Sequence, residues 1–255
     1  MKTKHQIIFI AFSSQKGGIG KSTFTTLVAS LLHYRLDYNV VVFDTDYPQH
    51  SLIKMRERDI KMVMKNEILK KQAYHQFTTI NKKAYEIIQH KPDHVLEAAK
   101  EYINKSSIPI DVVLFDLPGT VNTSGILNTL AGMHHIFTPI RADRVVMEST
   151  LVFSQILNDV IMKQGQTNIK TLNLFWNQVD GRESTQLYDF YNKLIDQLGL
   201  SLMESKIKNN VRFCKESEEN SKHVFRSTLM PPDLRLMKDS QLDNFMKEFL
   251  KIIEL

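Results

Sequence analysis

The run Ser14-Gln15-Lys16-Gly17-Gly18-Ile19-Gly20-Lys21-Ser22-Thr23 constrains this 255-residue chain more than any other stretch of it. It follows the apolar segment Ile7 to Phe12 and precedes a segment with helical spacing, so strand, glycine loop and helix N-terminus come in that order. Glycines at 17, 18 and 20 remove side chains, letting successive backbone N–H groups surround phosphate oxygens, while the helix starting near Lys21 turns its positive dipole end toward them. Lys21 would then neutralise the β- and γ-phosphates, Ser22 would offer its hydroxyl to Mg²⁺, and Thr23 would reach the α-phosphate. An ordinary glycine-rich turn is the competing explanation, and the strand-loop-helix context argues against it.

Runs rich in Val, Ile and Phe recur at Val40 to Phe43, Val112 to Phe115, His135 to Pro139 and Thr171 to Trp176, with helical segments between them. This predicts an α/β fold of the P-loop NTPase kind, a mostly parallel twisted sheet with helices on both faces and ligands at the carboxyl ends of the strands. The stretch 51–107 has no glycine and one proline, Pro92, and is rich in Lys, Glu, Gln, Met and Ala. It is expected to form two or three helices, inserted into a single domain spanning 1–255.

Two of the apolar runs end in carboxylates. Val40 to Phe43 leads into Asp44-Thr45-Asp46-Tyr47-Pro48-Gln49, and Val112 to Phe115 leads into Asp116-Leu117-Pro118-Gly119. Two carboxylates at one strand end beside a nucleotide are costly unless cations are present, which Mg²⁺ and a lysine would provide. Asp116 is placed as a Walker B residue holding Mg²⁺ through water, with Pro118-Gly119 as a turn sensing the γ-phosphate. For Asp44 and Asp46 the plainer alternative is an Asp-rich turn after a strand.

An ordinary phosphate loop requires only Lys21, yet Lys16 supplies a second lysine. The pattern KGGxGK[ST] at 16–22 resembles the ParA/MinD family of deviant Walker A ATPases. By that resemblance Lys16 reaches across a nucleotide-sandwiched homodimer to the partner's phosphates; the sequence does not separate this from one more local phosphate contact. The resemblance also makes Lys16, Lys21 and Asp46 catalytic, with Asp46 orienting or activating the attacking water and Asp44 supporting the metal shell. Tyr47 is inserted before the proline of the family's DxDPQ, and Gly119 stands where many members have a second proline. ATP and Mg²⁺ are the implied cofactors.

Trp176-Asn177-Gln178-Val179-Asp180-Gly181-Arg182 ends another strand. Its NxxD spacing invites a guanine reading, whereas the family match at Asp180 and Arg182 favours adenine. Asn177 is the candidate for the base edge, the alternative being that it caps the turn. Ile207-Lys208-Asn209-Asn210-Val211-Arg212 resembles the family's IPxxVR, with Lys208 in place of proline. Lys206, Lys208, Arg212 and Lys215 are candidates for nonspecific DNA contacts, each weak and salt-dependent, against a solvated charge run.

The net charge of +5 is unevenly spread: seven basic against three acidic residues lie from Lys54 to Lys71, and six against three from Lys206 to Arg226. The single cysteine, Cys214, cannot form an internal disulfide and excludes a cluster-bearing reductase. With no export signal or membrane span legible, the chain is expected to be cytoplasmic. From Gln241 to Leu255 an apolar face forms at helical spacing, but Asp243, Glu248 and Glu254 outnumber Lys247 and Lys251, so it is expected to pack in the core and not on a membrane. The phosphate loop begins near residue 15, which leaves no room for a helix-turn-helix domain before it, so sequence-specific DNA reading is expected to need a partner, ParB-like or part of a transfer machinery. The expected function is a ParA-type switch in DNA partition or mobile-element maintenance and transfer. A MinD-like membrane-associated positioning ATPase and a metabolic P-loop ligase of the dethiobiotin-synthetase type are the alternatives.

Overall fold

The computed structural model describes residues 6–47, 49–119, 124–162, 167–182, 184–210 and 224–255. In chain order the elements are β1 (Ile8–Phe12), α1 (Lys21–Tyr34), β2 (Val40–Asp44), α2 (Ser51–Lys65), α3 (Glu67–Ile80), β3 (Glu86–Gln89), α4 (Val95–Lys105), β4 (Val112–Asp116), α5 (Ser124–Ala131) and β5 (His135–Ile140). Then come α6 (Arg144–Ile156) with a π-helical turn at Leu157–Met162, β6 (Thr171–Val179), α7 (Thr185–Gln197), β7 (Ser201–Lys208), α8 (Leu234–Ser240) and α9 (Leu242–Ile252).

The strands form one sheet of order β3-β2-β4-β1-β5-β6-β7, and every neighbouring pair is parallel. From β1 the chain first runs to β2 on one side, and later strands build out on the other, so the carboxyl end of β1 is a topological switch point where ligands bind. Register sharpens this: Phe12 pairs with Asp116, and Asp116 with Asp44, so both aspartates arrive level with the last residue of β1.

Alternate strand residues face opposite layers. Ile10, Phe12, Val40, Val42, Val112 and Leu114 pack with α1 and α9, while Phe9, Ala11, Val41, Phe43, Val113 and Phe115 pack with α4, α5 and α6. Burial on both faces is why these strands read as unbroken apolar runs. The apolar face of α9 closes the first layer, as its acid-rich exposed side predicts. Leu242, Phe245 and Phe249 are fully buried, with the Phe249 ring 4.6 Å from Phe137 and Phe245 4.8 Å from Phe175. No described helix is long and apolar enough to cross a membrane.

The stretch 51–107 differs from an all-helical insertion. It holds α2, α3 and α4, but also β3, which pairs with β2 from Val41↔Glu86 to Asp44↔Gln89. This four-residue edge strand, Glu-Ile-Ile-Gln, is exposed at both ends and is too short to carry a periodic signal. β7 was also invisible as a strand, because its Glu204, Lys206 and Lys208 break the apolar run. Against β6 it is bulged: Leu202 to Lys206 spans the same length as Leu174 to Trp176. The two consecutive N–H groups of Glu204 and Ser205 in the bulged stretch each donate to the Glu248 carboxylate of α9 at 2.8 Å.

Candidate nucleotide site

Loop 13–20 leaves β1 at the switch point and enters α1. Gly18 and Gly20 adopt φ of +72° and +102°, a region that L side chains avoid. Gly20 has a second constraint: a Cβ there would lie 2.9 Å from Asn177 Nδ2. That amide donates to the Ile19 carbonyl at 2.8 Å, and the Asn177 side-chain oxygen accepts from the Gln178 N–H at 2.9 Å, so the end of β6 is fastened to the loop.

The loop borders a cavity of about 600 Å³, a volume suited to a nucleotide. Gly17, Gly18, Gly20, Lys21, Ser22, Thr23, Asp46 and Asn177 all line it, together with the Leu117-Pro118-Gly119 turn. Lys21 is nearly buried and donates from Nζ to the Lys16 carbonyl at 3.0 Å. Burial pulls its pKa down, opposed by the charges of Asp116 and Asp46. Gly119 sits directly against this lysine: a Cβ there would fall 3.2 Å from Lys21 Nζ and 3.4 Å from the Gly17 nitrogen. The side of the cavity does not include Lys16.

Asp116, fully buried, has its carboxyl pushed up to about 7, first by burial and then by Asp44 and Asp46, against the Ser22 hydroxyl and Lys21. Ser51 at the start of α2 stands 3.5 Å from Asp116 Oδ2 and 3.4 Å from Ser22 Oγ. A buried carboxylate with two hydroxyls beside it is a hard oxygen donor set, and a hexacoordinate Mg²⁺ that keeps waters and phosphate oxygens fits it. Among the described residues no cluster of three or more His, Cys, Asp or Glu forms a metal cage.

Asp44, also fully buried, turns its carboxylate to the N-terminus of α2. Its Oδ2 accepts from Leu52 N at 2.9 Å and Ile53 N at 3.1 Å, and its Oδ1 from Asp46 N at 3.3 Å. Asp46 is half-buried at the cavity wall, and burial followed by the Asp44 charge raises its pKa. The inserted Tyr47 points to solvent, with Lys91 Nζ 5.6 Å from its ring, while Asp46 stays inside a turn closed by His50 N donating to Asp46 O.

Asp180 takes no part in the cavity wall. Arg182 holds it, with Nη2 2.6 Å and Nε 3.0 Å from the two carboxylate oxygens, and these hydrogen bonds lower its carboxyl to about 2. The carboxylate of the NxxD spacing is thus engaged by Arg182. At the end of β7, Lys206 is half-buried with Nζ 5.6 Å from the Tyr188 ring, and Lys208 is exposed. Arg212 and Lys215 lie outside the described residues.

Four cavity contributors carry no sequence signal of their own. Ser51 looked like a helix start in a charged segment, Asn209 and Asn210 like part of a basic stretch, and Arg226 like the last member of a charge run. In the structure Arg226 lines the cavity and donates from Nη1 to Thr23 Oγ1 at 3.1 Å.

The CobQ/CobB/MinD/ParA nucleotide-binding domain matches residues 10–224 of the chain. No curated protein matches it. Among solved structures, it is similar to a putative plasmid partition protein of Borrelia burgdorferi B31 bound to AMPPNP, at 18% identity and TM-score 0.58 over 96% of this chain and 99% of that one. It is similar to cobyrinic acid a,c-diamide synthase of Mycobacterium smegmatis with bound ADP and magnesium, at 18% identity and TM-score 0.56 over 80% and 87%. A third likeness is to pNOB8 ParA bound to nonspecific DNA, at 16% identity and TM-score 0.53 over 78% and 80%. At these identities the likeness is one of fold, and it is the domain match, set on the loop and carboxylate geometry above, that shows the chain to be a member of the CobQ/CobB/MinD/ParA family of P-loop nucleotide-binding proteins.

Proposed function

We propose that the chain is a ParA-type ATPase in which ATP closes a homodimer, the closed dimer binds DNA without sequence preference, and hydrolysis reopens it during DNA partition or the maintenance and transfer of a mobile element. The observation that carries this reading is the division between the two lysines: Lys21 borders its own cavity, and Lys16 on the same loop does not. A lysine on this loop that is not part of the wall of its own site suits a role at the site of a second copy.

In this mechanism the loop N–H groups and Lys21 bind the β- and γ-phosphates, and Thr23 faces the α-phosphate. Ser22 and Asp116 would hold Mg²⁺, whose contribution is to neutralise phosphate charge, and Asp44, whose oxygens are engaged by α2 and Asp46 N, would support that shell from beside it. Asp46, half-buried and with a raised pKa, orients the attacking water and takes its proton. Asn177, in the cavity wall, remains the candidate for the base edge and also fixes β6 to the loop. Because Gly119 packs on Lys21, and Asp44 caps α2, a change at the γ-phosphate is felt by the 117–119 turn and by α2 together. The DNA reading draws support from the nonspecific DNA bound by the pNOB8 relative. It assigns the contacts to Lys206, Lys208, Arg212 and Lys215, and leaves specificity and stimulation of hydrolysis to a ParB-like or transfer-machinery partner.

The test is the mass in solution with ATP and Mg²⁺ of the wild type, Lys16→Ala and Asp46→Ala. The expected result is a dimer for the wild type, none for Lys16→Ala, and a longer-lived dimer for Asp46→Ala. Three monomers that all bind ATP would overturn the switch reading.

A further inference from the structure

Arg226 arrives at the nucleotide cavity from the far end of the sequence, and its two successors are locked in place. Ser227 and Thr228 are buried, and Asp59 of α2 grips both: its Oδ2 accepts from Thr228 N at 2.6 Å, Thr228 Oγ1 at 2.7 Å and Ser227 Oγ at 3.2 Å. Arg56, one helical turn before Asp59, donates from Nε to Thr228 Oγ1 at 2.9 Å and from Nη2 to the Thr228 carbonyl at 3.1 Å. From the other side α1 contributes Ser30 Oγ to the Ser227 carbonyl at 2.6 Å and Tyr34 OH to the Thr228 carbonyl at 2.8 Å. The backbone immediately after Arg226 is thus fixed to the two helices whose N-termini form the nucleotide site.

A guanidinium carried on so fixed a stretch of backbone, beside a phosphate loop, has a specific use. Its planar fork matches phosphate oxygens, and pre-ordering the side chain lowers the entropy lost on binding. The contact with Thr23, two residues after Lys21 in α1, sets it in the cavity wall beside the residue expected to reach the α-phosphate. We propose that Arg226 is a phosphate ligand supplied in cis, directed at the α-phosphate that Thr23 faces, and that Asp59 is the positioning residue that holds it there through Thr228. The inference rests on the nucleotide reading of the cavity. It also assigns a role to two members of the basic and acidic runs that composition alone would leave as solvated charge.

The test is calorimetric binding of ATP and of ADP, each with Mg²⁺, to the wild type, Arg226→Gln, Arg226→Lys and Asp59→Asn, with thermal unfolding of each variant in the absence of nucleotide. Losing one charge-assisted contact should weaken ATP and ADP alike by roughly tenfold in Arg226→Gln, with partial recovery in Arg226→Lys. Asp59→Asn should weaken both, and should add little in an Arg226→Gln background, as expected of two residues acting through one contact. A structural role alone would lower the unfolding temperature and leave the affinities of the folded variants unchanged, which would overturn the proposal. A loss confined to ATP would move the contact to the γ-phosphate and overturn the α-phosphate assignment. Should Arg226→Gln fail to fold, Arg226→Lys against the wild type decides, since equal affinities there would also refute it. A wild type that binds neither nucleotide would sink the reading of the cavity itself, whereas a wild type that binds both, with variants that do so equally well, would sink only the role of Arg226.

Discussion

Gly20→Ala should damage this protein through two separable effects. The first is local: at φ +102° an L residue meets its own backbone, which costs about 1–2 kcal/mol. The second is tertiary, because the new methyl would stand 2.9 Å from Asn177 Nδ2. The ring of Phe24, at 3.5 Å, is in ordinary contact and need not move. Displacing the Asn177 amide breaks its hydrogen bond to the buried Ile19 carbonyl, a loss of about 1–2 kcal/mol. Together these give about 3 kcal/mol, or roughly a 6–12 °C fall in melting temperature for a chain of this size. The two parts come apart in a double-mutant cycle followed by urea or thermal unfolding. In an Asn177→Ala background the steric part is already gone, so Gly20→Ala should cost only the backbone part, leaving a coupling of about 1–2 kcal/mol. The reasoning is refuted if Gly20→Ala costs less than about 0.5 kcal/mol, or if its cost is the same with and without Asn177.

Asp116→Asn tests the electrostatics. Burial pushes the folded carboxyl up to about 7, well above the ordinary aspartate range, so the folded state holds the proton more tightly than the unfolded one. Its contribution to stability is therefore present at low pH and lost as pH rises through about 7, and without nucleotide or Mg²⁺ the asparagine variant should gain in melting temperature over the wild type at pH 8 but not at pH 4; equal differences at both would contradict the assignment. Phe249→Ala removes a fully buried ring lodged against Phe12, Phe137 and Phe245, and should lower unfolding free energy by about 3–5 kcal/mol in a denaturant titration. A loss under about 1 kcal/mol would mean that α9 is not the core helix described here.

The parts of the molecule legible in the sequence are those whose causes are local. β1, β2 and β4 are buried on both faces, so their residue types announce them, and the carboxylates that follow them are aligned by register with no further information needed. The glycines of the loop are legible for the same reason, since a positive φ is a property of one residue. β3 and β7 are not: one is four residues long, and the other trades its apolar run for a bulge that only its pairing with β6 reveals. Arg226 was hidden more deeply. What brings it to Thr23 is the grip of Asp59 on residues 227 and 228, a contact across more than 160 positions that leaves no trace in spacing or composition.

The union of Glu248 with the bulge of β7 also bears on how copies of this chain can meet. A parallel sheet with a bare outer strand invites another strand to dock along it, and indefinite lateral growth follows when that strand is flat and unguarded. Here one carboxylate occupies two adjacent donors of that border, and the irregular pairing bends the strand away from the straight geometry that an incoming strand requires. Strand-to-strand docking is thereby discouraged along the β7 border, while the opposite border is β3, whose four residues offer an incoming strand little length to pair with.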